Sequence, residues 1–219
     1  MLEEHKRELT KSEIIKTDFI FDDYEVMGQK ENVKDWIDNP ENVKTIKHEF
    51  DEVVKVCQES FSILDGGCYG GYLYDYINQH CSDFTYQGID LNEKAVKESK
   101  KLHQNENFSI EVGDLNDLKY DDKTFDIVTC FRVFVHIHDF RPILKELLRV
   151  SKKYVFFDFH WTKQTETTKS YYDCDGEEKI VYYKGYNKQD ITKFLDEQNI
   201  KYTMVRKNFY TLVTIEKEC

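Results

Sequence analysis

The sequence predicts an α/β domain: a seven-stranded, mainly parallel, doubly wound sheet with helices on both faces and a C-terminal antiparallel hairpin. Three observations carry this prediction. Apolar runs of strand length alternate with stretches of helical periodicity from about residue 61 onward, the pattern of a parallel sheet wrapped by helices. The stretch Ser62-Ile63-Leu64-Asp65-Gly66-Gly67-Cys68-Tyr69-Gly70-Gly71 is an apolar run that ends in an acid and breaks into glycines. Tyr72, Leu73, Tyr76 and Ile77 then resume at helical spacing, so a strand hands over to a helix through a tight turn. At the far end, Lys201 to Arg206 and Phe209 to Lys217 are separated only by Lys207-Asn208, and so short a connection forces antiparallel pairing.

A chain of 219 residues holds one sizeable domain, and the pattern divides it at about residue 60. Residues 1–60 read as an N-terminal cap or lid with a leading helix, and 61–219 as the core with an aromatic-rich insertion at 161–186. Residues 1–16 are charged and loosely patterned, a frayed helix or an unstructured arm. Thr17 to Asp38 carries Phe19, Phe21, Tyr24, Met27 and Trp36 among acids, too irregular for a long helix and suited to a lid. Asn39-Pro40 starts a helix, with Pro at its first position. Val43, Ile46, Phe50, Val53, Val54 and Cys57 follow at three- and four-residue steps and give it one buried face.

After the glycine turn and its helix, Phe84 to Asp90 reads as a second strand. Asn92 caps a helix that turns Ala95, Val96, Ser99 and Leu102 inward. Phe108 to Val112 is a third strand, ending in Gly113-Asp114-Leu115. Phe125 to Phe131 is a fourth, mostly apolar and so buried on both faces. Asp139 and Pro142 open a helix with Ile143, Leu144, Leu147 and Leu148 inside, and Tyr154 to Phe159 is a fifth strand. Tyr171, Tyr172, Tyr182, Tyr183 and Tyr186 surround an Asp173-Cys174-Asp175-Gly176 turn able to join two hairpin strands. Asn187, with Asp190 three residues on, resembles a capping box, and Ile191, Phe194 and Leu195 face the core.

Charge and cysteine usage limit the function. With 31 basic and 42 acidic residues the net charge is −11, which repels nucleic-acid phosphate and disfavours DNA or RNA as a large substrate. The six cysteines, at 57, 68, 81, 130, 174 and 219, form no C-x-x-C pair and no zinc spacing, as expected of reduced cytosolic thiols. The first twenty residues hold no apolar signal segment, and the longest apolar runs are of strand length, so a soluble, cytoplasmic protein without a membrane span is expected. No metal site is predicted, and the oligomeric state is not legible.

In such a sheet, ligands bind beyond the carboxyl ends of the strands. The polar residues there are Asp65, Asp90, Asp114, Arg132 and His160. Glycine lets backbone approach a ligand closely, and free N–H groups at a helix start favour a polar or anionic ligand, so a nucleotide-like cofactor is the first suspicion. A tightly wound fold with no ligand also needs a glycine turn at this point. The glycine spacing does not fit G-x-G-x-x-G, and a nicotinamide or flavin fingerprint is unsupported.

Five parallel-type units, a closing hairpin and acids after the first three strands together resemble the class I S-adenosylmethionine-dependent methyltransferases, from about Ser62 to Lys217. Ile63 to Gly71 is similar to that family's first motif, Gly88-Ile89-Asp90-Leu91-Asn92 to its second, and Val112-Gly113-Asp114-Leu115 to its third. Phe125 through Asp139 is similar to its fourth-strand region. The resemblance implies S-adenosylmethionine as cofactor and S-adenosylhomocysteine as product. It implies Asp65 near the amino-acid end of the cofactor, Gly67, Cys68, Tyr69 and Gly71 along it, and Asp90 with Leu91 at the ribose. Asp114 with Leu115 would lie at the adenine, with Phe131, Arg132, Tyr24 and Trp36 as further contacts.

The chemistry suits these assignments, since one carboxylate can accept both hydroxyls of a ribose diol and another an adenine N–H. Each acid also has a bland reading as a helix or turn cap, or for Asp65 as an acceptor of loop N–H groups. Tyr69 departs from the motif's usual glycine, at a cost of about 1–2 kcal/mol if the position needs positive φ.

The acceptor implied is a hydroxyl or amine of a small molecule such as a metabolite or sugar. His136 is the general-base candidate, with His138 and His160 behind it. A methyltransferase acting on protein or RNA, or a non-catalytic binder of S-adenosylmethionine or another nucleotide, are the alternatives. Thr129-Cys130-Phe131-Arg132 is unlike the Asn/Asp-Pro-Pro-aromatic motif of base amine methylation, and Cys130 lacks the proline of a cytosine-C5 nucleophile.

Overall fold

The computed structural model describes residues 5–8, 40–57, 59–174, 177–207 and 209–217, with side chains at 46–57, 59–168, 183–207 and 209–217. The aromatic segment at 17–38, with Tyr24, Met27 and Trp36, lies outside the described residues. In chain order the elements are β1 (His5–Glu8), α1 (Pro40–Val56), β2 (Phe61–Gly66), α2 (Tyr72–Asn78), β3 (Phe84–Asp90), α3 (Glu93–Leu102), β4 (Phe108–Val112) and β5 (Phe125–Cys130). A 3-10 turn (Phe134–His136), α4 (Arg141–Val150), β6 (Ser151–Thr162), β7 (Glu166–Cys174), β8 (Glu177–Asn187), α5 (Lys188–Glu197), β9 (Tyr202–Lys207) and β10 (Tyr210–Glu216) follow.

Seven strands form the predicted sheet in the order β4-β3-β2-β5-β6-β10-β9. The pairs β4/β3, β3/β2, β2/β5 and β5/β6 are parallel, and β6/β10 and β10/β9 are antiparallel. The chain winds outward from β2 to β4 and then returns to place β5 on the other side of β2. The connections after β2 and β5 therefore part company at that point, which opens a crevice at the strand ends. Two apolar clusters, one on each face, enclose the sheet. One centres on Leu64, Val128, Leu144 and Phe157, the other on Ile63, Leu73, Tyr86 and Phe156.

Three further strands extend the sheet to ten among the described residues. β7 and β8 form the hairpin expected around Cys174, and β1 pairs antiparallel with β7 where a frayed helix or unstructured arm was expected. This three-stranded unit meets the main sheet through only two residue pairs, Trp161 with Tyr186 and Thr162 with Asn187. At that joint a Cβ on Gly185 would lie 2.3 Å from Thr162 Cγ2, so the close approach requires glycine.

Local departures have local causes. β6 runs from Ser151 to Thr162, longer than expected, because β5, β10 and β8 all pair along it. Leu102 is 45% exposed because α3 ends there and His103, not Leu102, fills the space against Phe108. The Asn92 side chain accepts from Ala95 N–H at 3.0 Å as predicted. Phe140 takes the cap position of α4, with the Asp139 carboxylate accepting from Arg141 N–H at 3.1 Å.

At α5 the capping box is not reciprocal. Asn187 Oδ1 accepts from Gln189 N–H at 2.8 Å, but the Asn187 N–H donates to Thr165 Oγ1, whose own hydroxyl is bonded to Asp190. Asn187 Nδ2 also donates to the Lys163 carbonyl. Asn187→Ala should lower stability by about 1 kcal/mol, read as a shift of the denaturation midpoint at constant slope.

Candidate functional site

The ends of β2, β3 and β4 and the turn after β5 enclose one cleft of about 460 Å³, open to solvent. Gly67, Asp90, Leu91, Gly113, Asp114, Leu115, Asn116, Val133, His136, Ile137 and Ile143 line it. Six of the sequence-derived site residues are therefore brought together: Gly67, Asp90, Leu91, Asp114, Leu115 and His136.

Asp90 forms the floor. It is fully buried, with Oδ2 accepting from Tyr69 N–H and Oδ1 from Asn92 N–H, both at 2.8 Å. Burial raises its carboxyl above the ordinary range, and the N–H bonds from Asn92, Tyr69 and Leu91 oppose that rise. Ile89, just before it, accepts from Gly67 N–H at 2.7 Å and Cys68 N–H at 3.1 Å. The Gly67, Cys68 and Tyr69 amides of the loop are thus used inside the protein, and the acid Asp90 borders the cleft.

This wiring sets the backbone of the glycine loop. Gly67, Tyr69 and Gly71 adopt φ of 74°, 46° and 85°. A Cβ on Gly67 would approach Val133 Cγ2 to 2.2 Å. Tyr69 does occupy the left-handed region, and its bond to Asp90 helps to offset the strain. Its ring packs beside Tyr72 at 6.1 Å, and Gly71 caps α2 against Phe108.

Asp114 is exposed at the cleft rim. Its Oδ1 accepts from Asn116 N–H at 2.9 Å and Nδ2 at 2.8 Å, a turn-capping arrangement that does not involve Oδ2. Leu91, Leu115, Val133, Ile137 and Ile143 supply apolar wall. His136 ends the 3-10 turn, with its ring 5.7 Å from that of Tyr183 on β8, so the insertion reaches the cleft. His138 is exposed, and His160 packs among Phe209 and Tyr210; neither lines the cleft.

Asp65, Cys68, Tyr69, Gly71, Phe131 and Arg132 are not among the lining residues. Asp65 is 5% exposed; Oδ1 accepts from Thr129 Oγ1 and Oδ2 from Tyr86 Oη, each at 2.7 Å. Burial pushes its carboxyl up to about 6, and the nearby Asp90 adds to the rise. Cys68 and Phe131 are core residues. Arg132, at φ 59°, pairs with the fully buried Asp158 and with Glu49 at 3.2 Å, and its guanidinium lies 3.6 Å from the Tyr210 ring centroid. Asp158 was missed, although a carboxylate inside the apolar run Val155 to Phe159 is itself a signal that a buried cation is nearby. Val133, Ile137, Ile143, Gly113 and Asn116 were also missed as lining. Tyr24 and Trp36 lie outside the described residues. Among the described residues no group of three His, Cys, Asp or Glu is placed to hold a metal ion, and no helix is long and apolar enough to cross a membrane.

Residues 64–157 match the family model described as a methyltransferase domain. Phthiotriol/phenolphthiotriol dimycocerosates methyltransferase of Mycobacterium tuberculosis is 29% identical over 97 residues, 44% of this chain and 36% of the relative. Ubiquinone biosynthesis O-methyltransferase of Coxiella burnetii is 28% identical over 92 residues, 41% of this chain and 38% of the relative. The matched region thus spans little more than a third of these relatives. Magnesium protoporphyrin IX methyltransferase from Synechocystis, solved with bound SAM, superposes with a TM-score of 0.60 at 16% identity, covering 96% of this chain and 98% of that one. These likenesses show the class I α/β fold, and residues 64–157 resemble a methyltransferase domain.

The residues at the cleft fit that cofactor. A carboxylate at the floor, a second at the rim with an oxygen outside its turn bonds, and an apolar wall between them match a diol, an amino group and a flat base.

Two outcomes test this site. Asp65, raised to about 6 by burial, contributes stability that is present below its ordinary pKa and lost as pH rises through 6. The unfolding free energy of Asp65→Asn relative to the wild type should therefore climb between pH 4 and 6.5 and then level, by at most about 3 kcal/mol, in denaturant titrations. A difference that stays flat with pH would refute the assignment. Asp158→Ala strands Arg132 beside Glu49 and should cost about 3–5 kcal/mol in chemical denaturation.

Proposed function

We propose that the domain transfers a methyl group from S-adenosylmethionine to a hydroxyl or amine of a small molecule. Asp90 would hold the ribose, Asp114 the adenine amino group, and His136 would accept the proton of the methyl acceptor. The observation that carries this is that both acids, each from a different strand end, line the same cleft as His136. The relatives' names support an acceptor of small-molecule or lipid class, and the acidic surface argues against RNA. Four described cysteines are free thiols, in keeping with a cytoplasmic setting.

S-adenosylmethionine supplies a methyl already activated on a positive sulfur, so the protein's task is alignment and exclusion of water. Asp90 anchors one end through lone pairs beyond those used by Tyr69 and Asn92. Val133, Ile137 and Ile143 keep the wall dry. His136 stands where the insertion meets the cleft, so an acceptor held by the β7–β8 hairpin would meet an imidazole able to act as a base. The segment at 17–38, with Tyr24 and Trp36, is the lid in this reading.

Asp114→Ala provides the test, because Asp114 is exposed and its loss spares the core. It should leave the melting temperature nearly unchanged and weaken S-adenosylmethionine and S-adenosylhomocysteine binding about tenfold in calorimetry, the worth of one hydrogen bond to a charged group. Binding of neither ligand to the wild type, or equal affinity in the variant, would overturn the assignment.

A further inference from the structure

Away from the cleft, His103 sits among acceptors on both sides of its ring. It follows the last residue of α3, and its side chain is only 8% exposed. Nε2 lies 3.0 Å from Oδ1 of Asp75, in the first turn of α2, and Nδ1 lies 3.1 Å from the Ser99 carbonyl oxygen. The ring stacks on Phe108 of β4 at 4.5 Å and meets Tyr74 edge-on at 5.4 Å. It also abuts the glycine loop, since a Cβ on Gly71 would stand 3.5 Å from His103 Cε1. Ser99 extends that contact: its buried hydroxyl donates to the Gly70 carbonyl at 3.1 Å and lies 3.3 Å from His103 Nδ1.

A neutral imidazole has a single N–H and cannot donate to Asp75 and Ser99 at once, whereas the imidazolium donates to both. In the protonated state the Ser99 hydroxyl is therefore left to Gly70. When the ring loses a proton, Nε2 keeps its own, because a bond to a carboxylate is the stronger of the two. Nδ1 then turns from donor to acceptor, and the one donor within reach is the Ser99 hydroxyl. We propose that His103 is an acid-sensitive latch on the glycine loop: while protonated it joins α2, α3 and Gly70, and on losing its proton it draws the Ser99 hydroxyl off the Gly70 carbonyl. The same loop carries Gly67 of the cleft, so the latch regulates the cofactor end of the site, a consequence that rests on the proposed function.

Of the groups in contact with the ring, Asp75 of α2 is charged. Tyr74 of α2 is titratable, is raised by burial and donates its hydroxyl to Asn107 at 3.0 Å. Ser99, Phe108 and Gly71 bring no charge. Burial lowers the His103 imidazole, but the Asp75 carboxylate and the Ser99 carbonyl more than reverse this and raise it above its ordinary value. The latch thus contributes stability that is present below the ordinary His value of about 6.5 and lost as pH rises through the folded midpoint. Asp65, at about 6, has the same sign, so the difference between the wild type and a His103 variant isolates the latch.

The experiment follows the His103 ring protons and the Gly70 and Gly71 amides of the full chain by NMR from about pH 5 to about pH 9. Ring and amides should share one midpoint above about 6.5. Asp75→Asn should lower that midpoint. Ser99→Ala should leave the ring titrating while the amides cease to follow it. In denaturant titrations the stability of the wild type relative to His103→Gln should fall through the same midpoint. Affinity for S-adenosylhomocysteine should drop severalfold across it in the wild type and not in His103→Gln. A ring midpoint at or below about 6.5, wild-type amides that do not follow the ring, or amides that still follow it in Ser99→Ala would overturn the proposal. Absence of S-adenosylhomocysteine binding at every pH would instead count against the methyltransferase reading, because the amide readout needs no ligand.

Discussion

The end of β3 is the constraint from which the site is built. Ile89 and Asp90 are consecutive, and between them they accept the N–H groups of Gly67, Cys68, Tyr69 and Asn92. One strand end therefore fixes the loop that follows its neighbour and starts the turn that follows itself. The parallel register, with Gly66 opposite Ile89, makes this possible, because it delivers the loop amides just where β3 presents a carbonyl and then a carboxylate. Asp90 consequently carries a structural duty before any ligand arrives, and its burial makes an unpartnered charge there expensive.

Much of this was legible from local signals. Strand limits such as Phe84 to Asp90 and Phe108 to Val112 follow from apolar runs bounded by turn residues, and the Asn92 cap from residue type and position. The closing hairpin followed from a two-residue connection. What stayed hidden depends on partners distant in sequence. Asp65 was read as a ligand contact, but its hydroxyl partners are Thr129, 64 residues on, and Tyr86, 21 residues on. Arg132 was read as a cofactor contact, but its partners come from α1 and β6. Periodicity reports which face of an element is buried and says nothing about which polar group meets it there. The strand at His5–Glu8 has the same cause, since its pairing is lent by a hairpin more than 150 residues away.

The Arg132 cluster shows how the sheet tolerates charge in its interior. Asp158 sits in a strand flanked on both sides, where an isolated carboxylate would be untenable. The loop after β5 answers with a guanidinium in a left-handed turn, and its own backbone N–H reinforces the pair at 2.7 Å. Glu49 of α1 and the Tyr210 ring of β10 close the remaining sides. Helix α1 is thereby tied by an ion pair to the same turn that leads on to Val133 and His136.

The two-pair joint between β8 and β6 sets the hairpin apart from the sheet that holds the cleft's acids. Beyond the joint, where Tyr186 is held in the core, the outer part of the hairpin can fray and re-form without breaking the ladders of the other seven strands. It can also be lengthened, shortened or resurfaced by mutation at little expense to the core. A lineage carrying this domain is thus free to change what meets His136 while the half of the cleft formed by β2, β3 and β4 stays fixed.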